Sequence, residues 1–271
     1  MLEYIMARPP RWEAEKFSKG VQEFKLSSWK YFSDFINQQL VSYTTYVYRG
    51  HGDSRWKLEP TLDRVIFHPT SYKRQEHIER FMLETRGRRG PNPASMRDEN
   101  DWWALGQHHG LATPLLDWTE SPFVALFFAM SKASELSSKS VTVFAIAQIA
   151  IDARNKMIKA DDAVPLVNKQ KPTVKIVRPL SDENSRLVSQ RGLFTRGPNN
   201  IDIESWITTH QVVGREKSIE LMKITIPVGG DKDIRDCLRY LNRMNINHST
   251  LFPDLAGASD YCNLHLSIPQ Y

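Results

Sequence analysis

The chain is poor in cysteine: two residues in 271, Cys237 and Cys262. Two thiols without a paired C-x-x-C spacing exclude a disulfide scaffold, a thioredoxin-type redox site and a structural zinc ribbon. Long apolar runs are also missing. Nothing approaches the ~18 uncharged apolar residues of a membrane helix, and Met1 to Pro10 shows no basic segment followed by an apolar one. The expectation is a cytoplasmic protein without membrane association. Common catalytic signatures are absent too: no G-x-x-x-x-G-K-[ST] loop, no G-x-G-x-x-G after a strand, no H-E-x-x-H and no G-x-S-x-G elbow. ATP and Rossmann chemistry therefore lose their usual warrants.

What is present is ordinary globular composition, 41% hydrophobic and 25% charged, with mean hydropathy −0.46. Lys and Arg exceed Asp and Glu by 36 to 31, for a net charge of +5 and a pI near 9.1. Such a balance favours an anionic partner, a nucleotide or nucleic acid. The basic run Arg86-Gly87-Arg88-Arg89-Gly90 suits the same partner, although a solvated loop is the plainer account.

The aromatics Trp12, Phe17, Phe24 and Trp29 in the first thirty residues suggest an N-terminal arm or first helix, with residues 31–271 forming one domain. Helices are expected from Ser33 to Leu40, Ser71 to Thr85, Trp102 to His109, Phe123 to Ser134 and Asp231 to Asn245. β-branched and aromatic runs predict strands at 43–50, 115–118, 141–147, 173–177, 192–195 and 219–227. Ile151 to Lys171 reads as a charged insert, and the residues after Asn245 as a polar tail. Without regular βα alternation, the fold class is α+β, one sheet with packed helices.

Two segments set polar groups at strand ends. Tyr48-Arg49-Gly50-His51-Gly52 ends a strand with an arginine suited to a bidentate anion contact and glycines that let a ligand approach the backbone. The plainer role for Arg49 is an ion pair with Asp53 or Asp117. Asp117-Trp118-Thr119-Glu120-Ser121-Pro122 places hydroxyls and carboxylates where a strand enters a helix. The plainer role for Thr119 or Ser121 is an N-cap. His108 and His109, adjacent on a helix, project about 100° apart and make a poor metal pair, so no metal site is expected.

These residues resemble the FRG domain family, named for its F/Y-R-G signature. Tyr48-Arg49-Gly50 is followed by Trp56-x-Leu58-x-Pro60-x-Leu62-x-Arg64. Next comes Gln107-His108-His109-Gly110-Leu111-Ala112-Thr113-Pro114-Leu115-Leu116-Asp117-Trp118-Thr119-x-Ser121-Pro122. The later blocks are Arg186-x-x-x-Gln190-x-Gly192-x-Phe194-Thr195 and Leu251-Phe252-Pro253-Asp254-Leu255-x-Gly257. The resemblance spans roughly residues 30 to 260, and Pro114 stands where the family pattern leads one to expect arginine.

More distantly, the order of an arginine-ended strand, a Thr/Ser-x-Ser strand-to-helix junction and a later polar motif is similar to the ADP-ribosyltransferase superfamily of the Arg, Ser-Thr-Ser, Glu-x-Glu type. That likeness implies a split mixed or antiparallel sheet and NAD as cofactor, bound by Arg49, Gly50, His51, His108 and Asp117. It also implies a catalytic set of Arg49, Thr119, Glu120, Ser121 and Gln190. Gln190-Arg191-Gly192 stands in place of Glu-x-Glu, which leaves the catalytic carboxylate open among Asp117, Glu120, Glu204 and Glu220. The implied activity is transfer of ADP-ribose to a macromolecule, RNA or DNA among the acceptors, by a bacterial toxin or antiphage effector partnered with an antitoxin or chaperone protein. The alternatives are a non-catalytic nucleotide or nucleic-acid binder, and a metal-dependent nuclease using His108, Asp117 and Glu120.

Overall fold

Ser140–Ala147 is buried at almost every position, a pattern that a strand sustains only when both of its faces are covered. The computed structural model, which describes residues 10–179, 185–212 and 214–271, makes this strand the centre of the fold. In chain order the elements are β1 (Trp12–Ser18), β2 (Val21–Leu26), α1 (Phe32–Gln39), β3 (Tyr46–His51), α2 (Thr61–Val65), α3 (Lys73–Glu84) and α4 (Glu99–His108). They continue with β4 (Leu115–Thr119), α5 (Pro122–Leu136), β5 (Ser140–Ala147), α6 (Gln148–Ala160), β6 (Lys175–Val177), α7 (Ser185–Ser189), β7 (Gly192–Arg196) and α8 (Ile203–Thr209). The last are β8 (Leu221–Pro227), α9 (Asp231–Arg243), α10 (His248–Leu251) and α11 (Leu255–Ser267).

Among the described residues the strands form one eight-stranded mixed sheet in the order β1-β2-β8-β5-β3-β4-β7-β6. β2 and β8 run parallel, and every other neighbouring pair is antiparallel. The α+β expectation therefore holds. On one face Val141, Val143, Ala145, Ile224 and Ile226 pack beneath α1, α5 and α9. On the other, Phe144, Ile146 and Trp118 meet Ile151, Ile158 and Trp206 from α6 and α8. A third cluster joins Leu115, Val177 and Phe194 to α2, α3 and α4.

Three expectations need correction. The described part of the first thirty residues is a β-hairpin built into the sheet edge, neither an arm nor a helix, because Phe24 and Leu26 alternate into the main core. Residues 1–9 of that expectation lie outside the described residues. The supposed charged insert carries α6, whose Ala150, Ile151, Arg154 and Ile158 share a buried stripe. The supposed polar tail carries α10 and α11, and delivers Leu251, Ile268 and Tyr271 to the core. Among the described residues no helix is long and apolar enough to cross a membrane.

Candidate functional site

The sheet is weakest between β3 and β4. These strands pair at a single position, Tyr48 opposite Thr119, whereas β3 pairs with β5 along its whole length, from Tyr46 to His51. From that pair the strands part, Arg49 to His51 on one side and Trp118 back to Asp117 on the other, and a cavity of about 600 Å³ opens along the gap. That volume lies within the ~300–1,000 Å³ usual for small-molecule sites.

Alternation along β3 sets what each residue does there. Tyr48 belongs to the core under α5, and Gly50 faces the same way. A Cβ on Gly50 would stand 1.9 Å from the Ala125 carbonyl oxygen, and one on Gly52 would stand 2.6 Å from Lys132 Cβ. Both glycines are thus required by the close approach of α5. Both glycines also line the cavity, so this packing requirement stands beside their expected purpose of admitting a ligand to the backbone.

Arg49 and His51 face the opposite side. Arg49 Nε donates to His51 Nε2 at 3.0 Å, and Nη1 donates to the Asp117 carbonyl at 2.8 Å and to Asp117 Oδ2 at 3.2 Å. One guanidinium thereby spans the gap where the ladder is missing. Nη2 has no partner among the described residues and remains available beside the cavity. Because an arginine Nε–H can only donate, His51 accepts at Nε2 and carries its proton on Nδ1, which lies 3.3 Å from the Trp56 carbonyl. Burial, reinforced by the positive charge of Arg49, lowers the His51 pKa to about 3 and keeps the ring neutral. Arg49 is consequently held on two sides before any ligand arrives.

Asp117 Oδ2 also accepts from Gln107 Nε2 at 2.8 Å, and the Gln107 carbonyl in turn accepts from the Thr113 hydroxyl. Asp117 Oδ1 has no partner among the described residues, and the side chain remains 57% exposed. His108 lines the cavity, with its pKa lowered chiefly by burial and further by His109 and Arg186.

The strand-to-helix junction is arranged differently. The Thr119 hydroxyl donates to the Gln190 carbonyl at 2.7 Å and accepts from the Ser121 amide at 3.1 Å, so its hydrogen-bonding capacity is used within the protein. Ser121 caps α5, accepting from the Val124 amide at 3.4 Å. Gln190 donates from Nε2 to the Leu251 carbonyl at 3.0 Å and ties α10 to the cavity wall. Glu120 pairs with Arg191 at 3.1 Å and Arg178 at 3.6 Å.

Of the residues singled out in the sequence, the cavity gathers Arg49, Gly50, His51, His108, Asp117, Thr119 and Gln190, while Ser121 and Glu120 do not line it. The other two carboxylate candidates are engaged elsewhere: Glu220 with Arg154, and Glu204 with Lys223. The three residues suggested for a metal are likewise not brought together, and among the described residues no group of three His, Cys, Asp or Glu side chains is placed to hold one.

Sequence reasoning passed over much of the lining. Arg55, Lys57, Arg64, Lys132 and Arg186 join Arg49 as cations, while Glu59 joins Asp117 as a carboxylate. Arg55 pairs with Asp53, Lys132 with Glu135 and Arg186 with Asp254. Lys57 and Glu59 have no ion-pair partner among the described residues, and Arg64 is held only by the Thr61 hydroxyl. The signal for Arg64 was the Trp56-to-Arg64 spacing itself. Trp56, Trp118, Phe128, Phe194 and Phe252 supply apolar and aromatic surface.

The class this defines is an α+β protein with a cation-lined, aromatic-walled cavity at a gap in its sheet. Residues 44–138 match the FRG domain, and the chain carries an FRG domain over that span. No curated protein and no solved structure matches the chain.

Proposed function

We propose that the cavity binds a dinucleotide of the NAD type and that the chain transfers its ADP-ribosyl group to a macromolecular acceptor. The observation that carries this reading is the unpartnered Nη2 edge of Arg49, fixed in the sheet gap beside further cations and an aromatic wall. A pyrophosphate presents acceptor oxygens to such an edge, and the bases supply planar surface for Trp56 or Phe252. Lys57 and Arg64, neither of which has an ion-pair partner among the described residues, are placed to meet the second phosphate charge.

In the transfer, the bond between ribose C1′ and the nicotinamide nitrogen breaks, and its electron pair leaves with the ring. The acceptor nucleophile bonds to C1′ and gives up a proton. Positive charge builds on the ribose meanwhile, as in glycoside cleavage. Glu59 is the cavity carboxylate free to oppose it, a service worth ~3 kcal/mol of barrier at other preorganised sites. Thr119, Ser121 and Gln190 serve the framework in this scheme. The excess of Lys and Arg points to nucleic acid as acceptor.

The commitment of those three polar groups to internal bonds favours a second reading, a cavity that binds the nucleotide without cleaving it. Calorimetric titration with NAD, together with assay of released nicotinamide in the presence of RNA and DNA, separates the two. Transfer predicts that Arg49→Gln weakens NAD binding at least about tenfold, whereas Glu59→Gln retains binding and loses nicotinamide release. Binding with no release by the wild-type chain would establish the second reading, and no binding at all would remove both.

A further inference from the structure

Asp117 is out of place in a cavity lined by six cations. Beside a guanidinium an acidic side chain lowers the attraction for any anion, and in a site built only to grip phosphate it would be a handicap. Its hydrogen bonding indicates a different purpose. Oδ2 is satisfied twice, by Arg49 Nη1 at 3.2 Å and Gln107 Nε2 at 2.8 Å. Gln107 is itself fixed through its side-chain carbonyl by Thr113, and Arg49, Asp117 and Gln107 all line the cavity. Oδ1 stays open, and a carboxylate oxygen can only accept.

Resting on the nucleotide reading above, we infer that Asp117 Oδ1 is the subsite for a ribose hydroxyl, next to the phosphate subsite at Arg49 Nη2, and that the pair selects ribose-bearing phosphate esters over bare phosphates. A ligand filling both positions must offer an anionic acceptor and a neutral donor close together. A phosphate attached to a sugar diol does so, whereas inorganic pyrophosphate lacks a neutral hydroxyl beside its phosphates and its concentrated negative charge is repelled at Oδ1. The two subsites are preset relative to each other because one bond, Arg49 Nη1 to Asp117 Oδ2, couples their side chains. The second bond from Nη1, to the Asp117 carbonyl at 2.8 Å, anchors the same residue through its backbone.

The test is titration of wild type and Asp117→Asn with two probes, ADP-ribose and inorganic pyrophosphate, with thermal melting to confirm that the exposed, isosteric variant stays folded. The substitution should move the affinities in opposite directions. Pyrophosphate binding should tighten, about threefold or more at low salt, because a neighbouring negative charge is gone. ADP-ribose binding should weaken at least about tenfold, the size of a lost charge-assisted hydrogen bond. If both affinities shift the same way, or neither shifts, Asp117 only frames Arg49 and the inference falls. If the wild-type chain binds neither probe, the nucleotide reading itself has failed, a result distinct from that one.

Discussion

Arg49 and Arg154 are both drawn in from solvent and each lies close to a histidine, yet they are finished differently. Arg154, on α6, is 1% exposed. It donates to the Glu220 carboxylate, to the His210 carbonyl and to Ile207 O at 3.0 Å, and its guanidinium lies 5.6 Å from the Trp206 ring centroid. Every nitrogen of that head has a partner in the protein. Arg49 is 22% exposed and leaves Nη2 unused. Two arginines of similar restraint therefore differ in one respect, whether the protein completes the set of acceptors or leaves room for a ligand to do so.

The contrast is most sharply tested by stability. Arg154→Met strands a buried Glu220 carboxylate, 3% exposed, and should cost about 3–5 kcal/mol by urea unfolding. Pairing it with Glu220→Leu should recover much of that loss, since the uncompensated charge goes too. Arg49→Gln should stay within about 1 kcal/mol of wild type while losing the ligand. Equal losses at both positions would erase the distinction.

The neighbouring histidines sharpen it with pH. His51 contributes a ring nitrogen to Arg49, whereas His210 contributes a carbonyl to Arg154, which no protonation removes. With its pKa lowered by burial to about 3 against an ordinary 6.5, folded His51 excludes a proton that the unfolded chain accepts. Its contribution is complete above pH 6.5 and falls by about 1.4 kcal/mol for each pH unit down to about 3. His51→Asn should flatten the stability profile by that amount between pH 6 and 4 in parallel urea titrations; an unchanged slope would show that the ring is solvated.

The smallest effect belongs to Ser121. Losing the α5 cap by Ser121→Ala should cost about 1 kcal/mol and leave ADP-ribose affinity alone. A drop in affinity at equal stability would move this hydroxyl to the same side of the comparison as Arg49.

Local physics was legible in the sequence. Pro122 behind a capping serine announces α5, and the run from Val141 to Ala147 is a buried strand wherever it is placed. The hairpin at Trp12 to Leu26 closes locally through Lys19-Gly20 and was passed over; its place in the sheet was not legible, because β2 takes its second partner from β8, far along the chain. The charges of α6 concealed a stripe whose period is apparent once Arg154 is counted as an interior residue.

The site followed the same pattern. Arg49 and Asp117, expected at strand ends, lie inside β3 and β4; composition reveals both strands, and the ion pair between the two residues was the plainer role foreseen for Arg49. Lys57 and Glu59 come from the irregular segment between β3 and α2, and Arg64 from the short α2 itself; the direction of that segment depends on Leu58 entering the core and on Ile203 donating to the Leu58 carbonyl. The packing role of Gly50 was hidden for a related reason: a strand glycine serves equally to admit a ligand or a helix, and only the position of Ala125 reveals the second requirement.

The parallel pairing of β2 with β8 bears on how the molecule is made. Val21 must wait for Leu221, about two hundred positions later, before its open edge is covered. About two hundred residues must therefore be made between the two strands before this ladder can close, so completion of the sheet is slow and late. Until then the exposed hairpin is the surface most prone to join a neighbouring nascent chain.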